Sequence, residues 1–205
     1  MIRELRVNRR GELLAAAPVL AERFDPATVT VADLAAAGDM SVAEFVRAFG
    51  DVDQYFAAVQ LQFFDRRLAS VIGRAGAMKP GLPRIRTAWS AYLDYSLEHA
   101  VVFGWCRRAQ EHFSSLHDEL RRRNHGMLLM IQIEFSTLHL PHAGERARLA
   151  VGMALETVKI ETDARARNEP MRKLLWGALE TLVQDGAVAH PATARSTSGA
   201  PLPVD

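Results

Sequence analysis

Cysteine is nearly absent. Cys106 stands alone in 205 residues, which excludes an intramolecular disulfide and fits a reducing cytoplasm. Lysine is almost as scarce: Lys79, Lys159 and Lys173 are the only three, so arginine carries the positive charge, a bias expected of a GC-rich bacterial genome. No uncharged apolar run approaches the roughly eighteen residues a membrane span needs. The opening MIRELRVNRRGELL lacks an apolar segment followed by a small-residue cleavage site, so a secretory signal is not expected. Net charge is low as well, at +1, so any attraction to nucleic acid or anionic lipid must come from a local patch.

Chemistry-bearing motifs are missing too. There is no glycine-rich phosphate loop, nucleophile elbow or paired-carboxylate pattern. Of the seven histidines, His112 and His117 are five apart and diverge on a helix, and His139 and His142 flank Pro141 without a third ligand. An enzyme, a metal site and a cofactor are therefore not expected. Cys106 beside Arg107 and Arg108 has two readings: a reactive thiolate, or a small apolar residue in a helix.

What remains is helix. With 49% hydrophobic and 24% charged residues the chain can build one or two cores. Leu13, Ala17, Leu20 and Phe24 step by four, three and four, and so do Val52, Phe56, Val59 and Phe63, which predicts helices over 8–24 and from 52 onward. Pro18 places a possible kink in the first. Gly73, Gly76, Pro80, Gly81 and Pro83 break the second. Trp89, Tyr92, Leu93 and Leu97 mark another, followed by helices over 116–140, 143–167 and 170–184. The apolar run 127–133 reads as a helix buried on most sides. No segment alternates with strand period, so the fold class is all-α. The stretch 187–205, with Pro191, Pro201 and Pro203, reads as a disordered tail.

The segment 30–49 holds two short helices joined by a tight turn. Thr30 caps the first with Asp33 three residues on, Gly38 and Asp39 tolerate the turn, and Ser41 with Glu44 forms a capping box for the second. Phe45 and Phe49 face the core. Such a pair is a helix-turn-helix, whose second helix can enter a DNA major groove.

The string LLAAAPVLAERFDPATVTVADLAAAGDMSVAEFVRAF at 13–49 resembles the N-terminal domain of TetR-type transcriptional regulators. Leu13, Leu14, Ala17, Leu20, Phe24, Thr28, Val31, Leu34, Ala35, Ser41, Phe45 and Phe49 fall on the family's matching positions, nearly all of them core positions. YLDYSLEHAVVFGWCRRAQ at 92–110 is similar to a later passage of the same family. The resemblance implies a three-helix DNA-binding-like domain over 1–50 and a larger ligand-binding and dimerisation domain over 51–186. It implies operator DNA, a small apolar or aromatic ligand and a second copy of the chain as partners.

On this resemblance the DNA-facing residues are Arg9, Arg10, Thr30, Ser41, Val42, Ala43, Glu44, Val46 and Arg47, with the basic run from Arg3 to Arg10 preceding the first helix. Pattern positions that are usually glycine (Asp39 and Ala43 here) or polar, basic or aromatic (Val42, Glu44, Val46, Ala48 and Val52 here) all depart from the family pattern. Residues 1–67 carry eight basic and ten acidic side chains, a poor balance for approaching a polyanion. Val42, Ala43 and Val46 suit thymine methyls, Arg47 suits guanine or phosphate, and Glu44 is either a cytosine acceptor or simply half of its capping box. The alternative is a protein of the same fold that has lost DNA binding and holds a small molecule, lipid or protein.

For the body, the expected ligand lining is Trp89, Tyr92, Phe103, Trp105, Met127, Met130, Ile131 and Glu134, with Phe135 beside them. Mostly apolar walls with few polar groups fit an apolar or aromatic ligand. Glu134 would orient a polar or cationic group or pair with a nearby arginine. The last two helices carry more apolar residues than one core needs, so Met153, Val158, Leu175, Leu179 and Leu182 are expected at a two-fold interface.

Overall fold

The computed structural model describes residues 2–184, with side chains from Arg9 onward except those of Ser114 and Glu119. The expected tail lies outside the described residues. Within them the chain forms ten helices and no strand. None of these helices is long and apolar enough to cross a membrane.

The first expected helix is two. Helix α1 spans Ile2–Ala15 and α2 spans Ala17–Arg23, with the break at Ala16. Pro18 has no N–H to donate and its ring crowds the preceding turn, so the chain bends just before it. The helical path already begins at Ile2. The expectation that the arginine run precedes the first helix is therefore corrected: Arg9 and Arg10 sit on α1 itself.

Helices α3 (Val31–Ala37) and α4 (Val42–Phe49) both start in complete capping boxes. Thr30 Oγ1 accepts from the Asp33 N–H at 3.2 Å while the Asp33 carboxylate accepts from the Thr30 N–H at 2.9 Å. Ser41 and Glu44 repeat the exchange at 3.2 and 2.9 Å. In the turn between them Asp39 takes the left-handed conformation, with φ of 49°, as short polar side chains tolerate. Gly38 contributes by lacking a side chain. A Cβ there would lie 3.0 Å from Leu13 Cδ1, so its absence lets the turn close onto α1.

Asp51 then caps the long α5 (Val52–Ala75) through the Gln54 N–H at 2.8 Å. The body continues with α6 (Leu82–Glu98), α7 (Ala100–Ala109), α8 (Ser114–Thr137), α9 (Ala143–Ala164) and α10 (Glu169–Gln184).

Two apolar cores fill the molecule. The first gathers Leu13, Leu20, Leu34, Phe45 and Phe49 from α1–α4 around Tyr55 and Phe56 of α5 and Trp105 of α7. A division between 50 and 51 therefore cuts through one continuous core. Trp105 is its largest fully buried side chain. Its ring centre lies 4.5 Å from that of Phe56, and its indole N–H donates to the Phe24 carbonyl at the end of α2, at 2.8 Å. The second core packs Ile85, Trp89 and Leu93 of α6 against Phe135, Ala150, Ala154, Val158, Leu175 and Leu179.

A buried ion network ties the second core together. Arg172 of α10 grips Glu161 of α9 through Nε and Nη2, both at 2.7 Å, and reaches Asp94 of α6 through Nη1 at 2.5 Å. Burial opposes the charge on Arg172, but the hydrogen bonds to Glu161 and Asp94 outweigh it and raise its pKa.

The run 127–133 does not bury most of its sides. Met130 is 52% and Ile133 65% exposed, and Leu129 is exposed with them. Helix α8 packs on α9 and α5, so only the stripe facing those two is covered, whatever the hydrophobicity of the rest.

Candidate functional site

Two regions could carry function: the outward face of α4 and a cavity in the body. On α4, Val42, Ala43, Val46 and Arg47 are all exposed, with Ser41 at the helix start and Thr30 at the start of α3 also at the surface. Phe45 and Phe49 point the other way, into the core. This division follows from the i, i+4 spacing of the two phenylalanines.

Several expected DNA contacts already have partners inside the chain. Arg9 Nη1 donates to the Asp39 carbonyl at 3.1 Å and lies 3.6 Å from Glu44 Oε1. Arg10 Nε donates to the Ala48 carbonyl at 3.3 Å, with its guanidinium 5.1 Å from the centre of the Phe49 ring. These two arginines fasten α1 to the turn and to the end of α4. The Glu44 carboxylate accepts from both the N–H and the hydroxyl of Ser41, and these bonds hold its pKa below the usual carboxylate value. Arg47 makes no hydrogen bond or ion pair among the described residues.

The cavity lies between α5, α6 and α8 and measures about 500 Å³, within the range of small-molecule sites. Six of the eight expected residues line it: Trp89, Tyr92, Met127, Met130, Ile131 and Glu134. The other two expectations are corrected. Trp105 is locked in the first core by its bond to Phe24, and Phe103 lines a smaller adjoining cavity of about 150 Å³, which shares Phe64, Arg67 and Tyr92 with the larger one. Phe135 is fully buried in the second core. Glu134 takes the arginine-partner reading: Arg84 Nη2 is 2.8 Å away, and the Gly81 N–H donates to Oε1 at 3.0 Å.

Sequence reasoning missed the third wall. Phe64, Arg67, Leu68, Val71 and Ile72 of α5 all face the cavity. Their spacing of three and four was visible as one helical face, but nothing in it distinguishes a cavity wall from a core. Cys106 takes the bland reading: it is buried, and burial pushes its thiol pKa up to about 12, so a reactive thiolate does not form.

Three interface expectations are also corrected. Val158, Leu175 and Leu179 are buried in the chain's own second core and cannot meet another chain. Met153 and Leu182 are half-buried, and the apolar residues most open to solvent on α9 and α10 are Leu149 and Leu174, the latter 70% exposed. Nearby, Gly152 and Gly177 have open space where a side chain would stand.

The architecture has a solved counterpart. A crystal structure of a transcriptional regulator from Rhodococcus sp. Rha1 superposes with a TM-score of 0.73 over 88% of this chain and 99% of that one, at 18% sequence identity. At that identity the likeness concerns the fold: an all-α chain with a helix-turn-helix head on a larger helical body. No family model matches the sequence, and no curated protein matches it. Among the described residues no cluster of histidine, cysteine and carboxylate side chains is placed to hold a metal ion.

Proposed function

We propose that this chain is a TetR-like transcriptional regulator, a repressor that holds operator DNA as a homodimer and releases it when a small apolar or aromatic ligand enters the body. One observation carries the reading: a doubly capped helix pair presents the solvent-facing side of α4 at one end of a body that encloses a cavity. Catalysis has no part in it.

Val42, Ala43 and Val46 would pack on thymine methyls, and Arg47 would take a guanine edge or a phosphate. The ligand acts by differential affinity for two arrangements of the head on the body. In a mobility-shift experiment at low salt, the protein is expected to retard DNA from upstream of its own gene, and Arg47→Ala to abolish the shift. Binding that survives Arg47→Ala would remove α4 as the reading helix.

The dimer would use the outer faces of α9 and α10, where Leu149 and Leu174 are exposed and Gly152 and Gly177 permit close approach. Light scattering is expected to give twice the chain mass for the native protein and the single mass for Leu174→Glu. A native monomer at high concentration would refute this interface.

A second reading draws support from the partners of Arg9, Arg10 and Glu44 within the chain and from the acidic excess over residues 1–67. It is a protein of the same fold that binds a small molecule, lipid or protein and no DNA. Absence of any shift at micromolar protein would favour it.

A further inference from the structure

The larger cavity contains one group that its apolar walls do not require. Arg67 on α5 is only 8% exposed, and no carboxylate among the described residues pairs with it. Its Nη1 donates to Ser96 Oγ at 3.3 Å, and its guanidinium carbon lies 4.2 Å from the centre of the Tyr92 ring and 4.9 Å from that of Phe64. Aromatic faces attract a cation, but they do not neutralise it. Burial lowers the pKa of this guanidinium even so, as expected of a cation withdrawn from water without a counter-charge. An arginine has five N–H donors in a planar fork, and Arg67 uses one of them within the chain.

A second donor, on the facing helix α6, lacks a partner. The Trp89 indole N–H is buried and has no hydrogen-bond acceptor, although such groups nearly always find one. The Trp89 and Tyr92 ring centres are 5.6 Å apart, so Arg67 and Trp89 both pack against the same tyrosine. Glu134 is the carboxylate in the lining, and Arg84 already pairs it; Arg123 pairs with Asp65 at 3.1 Å, so neither ion pair reaches Arg67.

We infer that the ligand of this cavity is an apolar monocarboxylate, whose head group pairs with Arg67 and accepts a hydrogen bond from Trp89. The hydrocarbon body lies along Leu68, Val71 and Ile131 and points to the mouth, where Ile72 and Met130 are exposed. A carboxylate matches the unused fork of Arg67 in geometry and charge. An amine would meet an uncompensated cation, and an alcohol would leave it uncompensated. The inference rests on the ligand-binding half of the proposed function and is independent of whether α4 reads DNA.

The test is calorimetric titration of the delipidated full chain with decanoate and, separately, decanol, without DNA. Decanoate is expected to bind at least about tenfold more tightly than decanol, the scale of one charge-assisted pair. Arg67→Met should remove that preference by weakening decanoate while changing decanol by less than about threefold, because an unbranched apolar side chain keeps most of the wall filled. Trp89→Phe, which keeps the ring and deletes the N–H, should weaken decanoate alone and serves if Arg67→Met fails to fold. Equal binding of the two probes by the native protein overturns the head-group assignment but leaves a ligand cavity standing. A preference that persists in Arg67→Met overturns it as well. If neither probe binds, the inference falls, and the ligand-responsive reading then rests on aromatic ligands alone.

Discussion

Trp105→Ala is expected to lower the unfolding free energy by about 3–5 kcal/mol, the range for deleting a buried large aromatic side chain. Equilibrium urea unfolding followed by far-ultraviolet circular dichroism measures it, with the midpoint falling and the slope unchanged. The size of the effect follows from where the indole sits. It is fully buried, packs on Phe56 and Tyr55, and bonds to the Phe24 carbonyl. Trp105→Phe separates the two contributions. It retains much of the packing but leaves that carbonyl without its donor, at a cost of about 1–3 kcal/mol. A loss below about 1 kcal/mol for Trp105→Ala would contradict the placement of this residue at the centre of the first core, since cavities of that size are not tolerated so cheaply.

Breaking the ion network should cost as much. Glu161→Ala removes both carboxylate oxygens from Arg172 and the acceptor of the Asn168 N–H. It leaves a buried guanidinium with only the half-exposed Asp94, and the expected destabilisation is about 3–5 kcal/mol. The paired replacement Glu161→Leu with Arg172→Met behaves differently, because no charge is then stranded. It should return to within about 1 kcal/mol of the native protein or exceed it, since apolar residues of similar volume often replace buried pairs without loss. Asp94 keeps Arg74 and Arg167 as partners in that variant, at 3.3 and 3.8 Å. If the double variant were as unstable as Glu161→Ala, the network would be contributing something other than paired charge.

Trp105 and its surroundings also illustrate what periodicity conveys and what it omits. The helix pair of the head was legible because its signals are local: Thr30 with Asp33 and Ser41 with Glu44 are three residues apart, and the capping geometry they predict is the geometry found. Helix existence elsewhere was legible for the same reason. The partner of a side chain is a property of distant chain segments, and there spacing fails. Trp105 looked like a ligand wall because aromatic content cannot tell core from cavity, yet its hydrogen bond reaches back 81 residues. Val158, Leu175 and Leu179 looked like an interface because both buried faces of a helix have the same composition. The run 127–133 looked buried, but its hydrophobicity exceeds the surface that α5 and α9 cover. Arg67 went unnoticed beside Arg66, since a charged pair ordinarily marks a solvated face.

Helix α5 belongs to both halves of the molecule. Near its start Tyr55 and Phe56 are embedded in the core of the head, and further along Phe64, Arg67, Leu68 and Val71 form one side of the cavity. Its 24 residues run without interruption, which at 1.5 Å per residue makes a rod of about 36 Å. A rigid rod converts rotation at one end into translation at the other. A tilt of about 5° at the cavity end would carry the opposite end sideways by about 3 Å for a helix of that length. That is comparable to the full length of a hydrogen bond, so a small rotation at the cavity end is large enough to make or break a contact at the tip.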